Sequence, residues 1–205
     1  MQISFLFQIF ILVFSVIIHE ISHGFMALFF GDKTAEYEGR LTLNPIKHID
    51  LFGSIILPLL LYLTSAGFMI GWAKPVPYNP YNLRNRKVAE PLVAFAGPFS
   101  NILVAIVFGV CVRLMISAGM YGSPLILLFS LVVLINIALA VFNLIPIPPL
   151  DGSKILFSIL PVDRRFAFSA FAERYGLIIL ILIVAFIPNL ISPVISALFS
   201  LITGL

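Results

Sequence analysis

Two histidines and a glutamate lie within one helical turn in the sequence His19-Glu20-Ile21-Ser22-His23. Side chains four residues apart share one face of a helix, so His19 and His23 can reach the same metal ion. Glu20 projects near the same point, where a carboxylate can take a proton from a metal-bound water. The spacing therefore predicts a metal-dependent hydrolytic centre, with both histidines as metal ligands and Glu20 as the catalytic base.

A catalytic zinc has three protein ligands and one open position, so this centre needs a third ligand. The sequence contains one further histidine, His48, and a single cysteine in an apolar run. Asp151 is the better candidate, because the proline-rich stretch 146–149 before it breaks a helix and Gly152 after it lets the backbone turn tightly. An ordinary aspartate that ends a helix at the membrane interface is the alternative. Two histidines and a carboxylate with an open position favour zinc among the divalent metals.

The elements that must hold these residues are strongly apolar. The chain of 205 residues is 61% hydrophobic and 10% charged, with a mean hydropathy of +1.14, whereas a soluble domain has roughly a quarter of its residues charged. The metal-binding motif lies within the first apolar stretch, where polar groups are costly and need a functional reason. Five stretches are long enough to span a bilayer as helices, namely residues 3–30, 51–72, 91–118, 124–147 and 176–204.

These patterns predict an all-α polytopic membrane protein that forms a single domain over residues 1–205. We expect a core over residues 3–154, with three transmembrane helices and one re-entrant segment, and a C-terminal helical region over residues 155–205. Pro188 and Pro193 interrupt the last apolar stretch, so it either crosses once with a kink or forms a hairpin. The net charge of +3 is small, and we expect the chain to contact the lipid bilayer and no nucleic acid.

The distribution of basic residues predicts the topology, since they concentrate in cytoplasmic loops. If residues 51–72 cross the membrane, the 12 basic residues divide into four on one side and eight on the other. If this segment re-enters and returns, only Arg113 lies opposite the other eleven. The re-entrant path also brings Asp151 to the same end of the bundle as the histidines. We therefore expect a multi-pass protein of the plasma membrane, with its N-terminus outside and its site towards the cytosol.

Two further features bear on substrate binding. Asn143, near the metal end of its helix, is a candidate to stabilise an oxyanion or contact substrate, with a helix–helix hydrogen bond as the alternative. Asn101 and Asn136 are interpreted as packing groups. The alternation of polar and apolar residues in 40–43 predicts a short strand at the membrane edge. Such a strand could pair with an extended substrate, and a plain loop is the alternative.

Together these motifs resemble those of the site-2 protease family of intramembrane zinc metalloproteases. The resemblance rests on the HExxH motif in the first apolar helix and on the sequence NLIPIPPLDG at residues 143–152. Gly-Pro at residues 97–98 followed by Asn101, and the sequence GWAKPV at residues 71–76, are similar to further family features. The similarity covers residues 5–154 and looks like a compact form of the family, without a PDZ or nucleotide-binding domain.

The resemblance implies one Zn2+ per chain, bound by His19, His23 and Asp151, with Glu20 as the catalytic base. It also implies transmembrane protein substrates, which such enzymes cleave in or near a membrane-spanning helix, often to release a cytosolic signalling domain. Two alternatives stay open. A transporter of metal ions or protons would use the same cluster, although it is expected to carry polar residues across the whole bilayer. A catalytically inactive membrane scaffold would not require the complete set of metal ligands and base.

Overall fold

The computed structural model describes residues 5–56, 60, 63, 73–161, 175 and 188–205. The α-helices within these ranges are α1 (Phe5–Phe29), α2 (Thr34–Tyr37), α3 (Arg86–Ser117), α4 (Pro124–Asn143), α5 (Asp151–Ile159) and α6 (Pro188–Thr203). Short 3₁₀ helices form at Pro45–His48 and Pro80–Asn82, and a π-helical turn forms at Leu51–Ile56. Every described segment of regular structure is helical, which confirms the all-α prediction.

Three helices are long and apolar enough to cross a membrane, namely α1 over Phe7–Phe29 and the whole of α3 and α4. Each end of α4 follows from local sequence. At its start, the Ser123 hydroxyl accepts a hydrogen bond from the Leu125 amide, and Pro124 occupies the first helical position. At its end, the proline-rich stretch that follows cannot continue the helix. The chain is therefore a multi-pass membrane protein, as the sequence predicts.

Helix α3 is central in the bundle. It packs against α1, α4, α5 and α6, and α4 also packs against α6. Small residues on α3 permit this close approach, since a side chain at Gly109 would overlap Ile202 of α6. Ala105 is fully buried against Val133 and Ile137 of α4. Helix α6 therefore packs directly on α3 and α4.

The two ends of the predicted re-entrant segment meet. The Lys74 amide donates a hydrogen bond of 2.8 Å to the His48 carbonyl, so the chain leaves and returns at one face of the bundle. A single crossing by residues 51–72 would separate these groups by a bilayer, and their contact favours the re-entrant prediction. The path between them is largely outside the described residues. So is the first part, residues 176–187, of the last apolar stretch at 176–204, for which we predict either a kinked crossing or a hairpin.

The strand predicted at residues 40–43 does not form, and the plain-loop alternative is correct. The backbone bends at Leu41 and Thr42, and its polar groups have other partners. The Arg40 amide donates to the Ala35 carbonyl at 2.9 Å, and the Thr42 carbonyl accepts from His48 Nε2 at 2.8 Å. A strand needs a neighbouring strand to satisfy its backbone groups, and none lies beside these residues in the part of the chain that the structure describes.

Candidate metal centre

His19 and His23 lie one turn apart in α1 and face α3. Both are buried, with 5% and 8% of their surface exposed. Helix α3 approaches them closely because Gly97 has no side chain: a Cβ atom there would lie 2.5 Å from His23 Nε2 and 2.6 Å from His19 Nε2. This glycine leaves the space in which the two imidazole nitrogens meet.

Asp151 joins the histidines from the first turn of α5. Its Oδ2 lies 3.1 Å from the Nε2 atoms of both His19 and His23, and these two nitrogens are 3.1 Å apart. Gly152 permits this placement, because a side chain there would overlap backbone carbonyls just after α4. The structure thus brings the three sequence-predicted ligands to one point, although Asp151 is 132 residues from His19 along the chain.

The outer nitrogens of both imidazoles bond to carbonyl oxygens. His19 Nδ1 lies 2.6 Å from Asn101 Oδ1, and His23 Nδ1 lies 2.6 Å from the backbone oxygen of Val93. Because a carbonyl oxygen can only accept, each Nδ1 carries a hydrogen, so a ring in its neutral form directs the lone pair of Nε2 inward. With both rings neutral, two lone pairs and the Asp151 carboxylate converge with no hydrogen between them. This arrangement is favourable around a cation.

The donor types and their spacing fit zinc. Tetrahedral zinc binds imidazole nitrogen and carboxylate oxygen at about 2.0–2.2 Å, which places its donors about 3.3–3.6 Å apart. The separations of 3.1 Å in the cluster are close to this value. The second oxygen of Asp151, Oδ1, accepts a hydrogen bond of 3.0 Å from Lys154 Nζ. This bond fixes the carboxylate so that Oδ2 faces the histidines.

Asn101 and Asn136 form a buried polar network behind His19. The side-chain nitrogen of Asn101 donates to Asn136 Oδ1 at 2.9 Å, and that of Asn136 donates to Ser15 Oγ at 2.9 Å. Both asparagines are fully buried. Their interpretation as packing groups is too narrow for Asn101, which orients a candidate metal ligand. The one signal in the sequence is its spacing, four residues after Gly97 and therefore on the same face of α3.

Glu20 is half-buried and lies beside the cluster without being one of its three donors. Its Oε2 accepts a hydrogen bond of 2.9 Å from the backbone amide of Val76, which belongs to an irregular segment before α3. Sequence reasoning missed this partner, because the contact spans 56 residues and involves a main-chain group. The bond fixes one carboxylate oxygen and leaves Oε1 as the second acceptor.

The remaining candidates form other hydrogen bonds. Asn143 ends α4, and its side-chain nitrogen donates to the Leu139 carbonyl of the same helix at 2.9 Å. Its role in stabilising an oxyanion stays a prediction. His48 is 2% exposed and donates from Nε2 to the Thr42 carbonyl at 2.8 Å. It supports the loop after α2 and is not one of the three clustered donors.

Comparison with known proteins supports this chemistry. The family model described as Peptidase family M50 matches residues 114–187, a range that contains Asp151. A protein named "Putative zinc metalloprotease YwhC" from Bacillus subtilis is 39% identical over 177 residues, which cover 84% of this chain and 77% of that protein. No solved structure matches the chain.

Two more distant relatives carry related names. Rip2 of Mycobacterium tuberculosis, with the same description as the Bacillus protein, is 28% identical over 172 residues, or 82% of this chain and 62% of Rip2. Zinc metalloprotease MJ0392 of Methanocaldococcus jannaschii is 28% identical over 153 residues, or 74% of this chain and 34% of that protein. The chain therefore spans about three-fifths of Rip2 and about a third of MJ0392.

Replacing Asn101 with leucine removes the acceptor that orients His19 and keeps a similar side-chain volume. We expect zinc affinity to fall by about 10- to 100-fold, the usual effect of losing a hydrogen bond to a metal ligand. Competition for zinc between the detergent-purified protein and a chromogenic chelator measures this change. Asn143→Leu, at the end of α4, is the matched control and should bind zinc like the wild type. Wild-type zinc affinity in Asn101→Leu, or an equal loss of affinity in both variants, would contradict the role assigned to Asn101.

A methyl group at Gly97 would crowd the position where the two imidazoles meet. We expect Gly97→Ala to lose bound zinc, because a Cβ atom 2.5–2.6 Å from both Nε2 atoms must displace at least one ring. Elemental analysis of the purified protein gives zinc per chain. Gly109→Ala is the control, since it crowds α6 instead and should lower thermal stability while zinc is retained. Full zinc content in Gly97→Ala would show that α3 moves away without disturbing the cluster.

Proposed function

Because the chain belongs to peptidase family M50, the site-2 proteases, we propose that it hydrolyses peptide bonds in or near transmembrane segments of other membrane proteins. The family and the three spanning helices make it a membrane zinc metalloprotease. The location of the donor cluster supports hydrolysis within the membrane. His19 and His23 belong to a spanning helix, and a second spanning helix, α3, covers them. A peptide bond that reaches them must enter among the membrane helices.

The chemistry follows from the geometry of the site. When bound by His19, His23 and Asp151, zinc supplies a Lewis acid that polarises the scissile carbonyl and lowers the pKa of a water molecule. Glu20 accepts a proton at Oε1 from the attacking water and returns it to the nitrogen of the leaving amine. Asn143 turns from the Leu139 carbonyl towards the substrate and donates to the developing oxyanion.

We also propose that the protein lies in the plasma membrane with its site towards the cytosol, and the positions of basic groups support this orientation. Lys154 binds the Asp151 carboxylate at the site itself. The Arg84 amide donates to the Phe30 carbonyl, just beyond the end of α1 at which the histidines lie. Arg113 lies near the opposite end of α3. Because basic residues concentrate in cytoplasmic loops, the end of the bundle that holds the cluster is assigned to the cytosol.

Substrates in this proposal are transmembrane segments that unwind near the site. A peptide carbonyl inside an intact helix is hydrogen-bonded and shielded by side chains, so local unwinding must precede hydrolysis. Cleavage near the cytosolic end of a transmembrane helix would release the attached cytosolic domain, as in regulated intramembrane proteolysis. The glutamate beside a complete donor set disfavours an inactive scaffold.

Two variants separate metal binding from catalysis. Glu20→Gln should keep about one zinc per chain and lose cleavage of a single-pass transmembrane reporter by at least about 100-fold, because the amide cannot accept the proton. Asp151→Ala should lose zinc and cleavage together. Elemental analysis and gel-based cleavage in proteoliposomes measure both quantities. Cleavage by Glu20→Gln at the wild-type rate would exclude Glu20 as the base.

The proposed orientation is tested by labelling intact cells with a membrane-impermeant maleimide. Single cysteines are placed in a Cys111→Ser background, at Glu38 after α2 and at Met120 between α3 and α4, both of which are exposed. Met120→Cys should be labelled from outside, whereas Glu38→Cys should react only after the cells are permeabilised. The reverse pattern would place the metal centre on the outer side.

A further inference from the structure

Residues 73–83 connect the predicted re-entrant segment to helix α3. Residues 73–79 have no regular structure, and Pro80–Asn82 form a 3₁₀ helix. Val76 and Leu83 are buried, at 5% and 6% exposed. One peptide unit of the segment reaches the candidate catalytic base, since the Val76 amide donates to Glu20 Oε2.

Arg40 binds the same peptide unit from its other side. Its Nη2 donates to the Pro75 carbonyl at 3.2 Å and to the Lys74 carbonyl at 2.8 Å. The Pro75 carbonyl and the Val76 amide belong to one planar peptide group. The guanidinium therefore holds the oxygen of this group while Glu20 holds its hydrogen. A cation at the oxygen also polarises the N–H and strengthens its bond to the carboxylate.

The burial of Arg40 is costly and is not explained by an ion pair. The residue is 5% exposed, its Nε has no hydrogen-bond partner, and none of the ion pairs among the described residues includes it. A buried guanidinium without a carboxylate loses most of its hydration for little return. Arg40 is therefore stabilised in this buried position by its hydrogen bonds to the two carbonyls of the 73–83 segment.

Asp32 holds the same segment on the other side of Val76. Its carboxylate is 1% exposed and accepts from the Asn79 amide at 2.6 Å and from the Asn82 side chain at 3.0 Å. Burial alone would raise the pKa of the Asp32 carboxyl, but hydrogen bonds from Thr34, Asn82 and Asn79 outweigh it and hold the pKa below its ordinary value. Two buried groups of opposite charge therefore anchor the segment around the peptide that contacts Glu20.

We propose that Arg40 is a positioning residue for hydrolysis, because it holds the Pro75–Val76 peptide so that its amide orients the Glu20 carboxylate. The inference rests on the proposed role of Glu20 as the base. The Glu20 side chain has several rotatable bonds, and the hydrogen bond to Oε2 restricts them. A displacement of about 1 Å in a catalytic group costs about 100-fold in rate. Arg40 thus acts on turnover and leaves metal binding unchanged.

A double-mutant cycle tests this relation. Arg40→Gln removes the cation from the Pro75 carbonyl, and Val76→Pro removes the amide hydrogen that Glu20 accepts. Each should lower kcat on the transmembrane reporter by about 10- to 100-fold, with KM and zinc content unchanged. In the double variant the losses should not multiply, since Arg40 acts through the amide. Arg40→Lys keeps a donor for one carbonyl and should recover part of kcat.

A surface arginine provides the matched control. Arg86 is half-exposed and pairs with Glu90 on the first turns of α3, so Arg86→Gln should keep the wild-type kcat. Losses that multiply in the double variant, or a loss of zinc in Arg40→Gln, would overturn the positioning role. So would an equal loss of kcat in Arg86→Gln, because the effect would then follow from net charge.

Hydrogen exchange gives a readout that needs no cleavage. Residues 73–78 include Pro75 and Pro77, so few amides contribute to the signal of this stretch. Exchange of the Val76 amide should accelerate in Arg40→Gln and in Glu20→Ala, whereas residues 79–83, held by Asp32, should exchange as in the wild type. Unchanged exchange in Arg40→Gln would refute the positioning role. If exchange of the Val76 amide accelerates in Arg40→Gln but the wild-type protein cleaves no reporter, the proposed function is refuted and the contact between Arg40 and the 73–83 segment stands.

Discussion

Three electron-pair donors point at one another inside an apolar helix bundle. A buried carboxylate loses hydration worth several kcal/mol, and Lys154 compensates only one of the Asp151 oxygens. The lone pairs of His19 and His23 add repulsion, because their other nitrogens are already committed to carbonyl acceptors. A divalent cation removes these penalties together. Folding around the site and metal binding are therefore linked, and the apo protein is expected to be the less stable form.

Helix α3 carries three groups that hold the two histidines in place, spaced four residues apart along the chain. The Val93 carbonyl accepts from His23, Gly97 leaves room for both rings, and the Asn101 side chain accepts from His19. Four-residue spacing keeps these groups on one face of α3, just as it keeps the histidines on one face of α1. Two helices with the same period thus meet along a single line of contacts. This match explains how three residues of α3 can contact both histidines.

The sequence was informative where chemistry depends on local spacing. The histidine pair and its glutamate share one turn, and Asp151 follows a helix-breaking run, so both could be predicted and the structure brings the three ligand candidates together. The long apolar runs predicted the three spans. The alternation at residues 40–43 was misleading, because a strand also needs a partner that sequence alone does not provide. The Asn101 and Val76 contacts depend on packing between distant parts of the chain, which no local pattern encodes.

The hydrogen bond between the Lys74 amide and the His48 carbonyl joins the two ends of residues 49–73. It therefore separates this stretch from the hydrolytic centre. Because this hydrogen bond joins the two ends of the stretch, the position of the 73–83 segment, which contacts Glu20, is set by its bonds to Arg40 and Asp32. It is not set by the length of chain before it. The free energy of closing such a loop changes by only about 0.6 kcal/mol when its length doubles. Changes of length within residues 49–73 are therefore expected to leave the geometry of the hydrolytic centre unchanged.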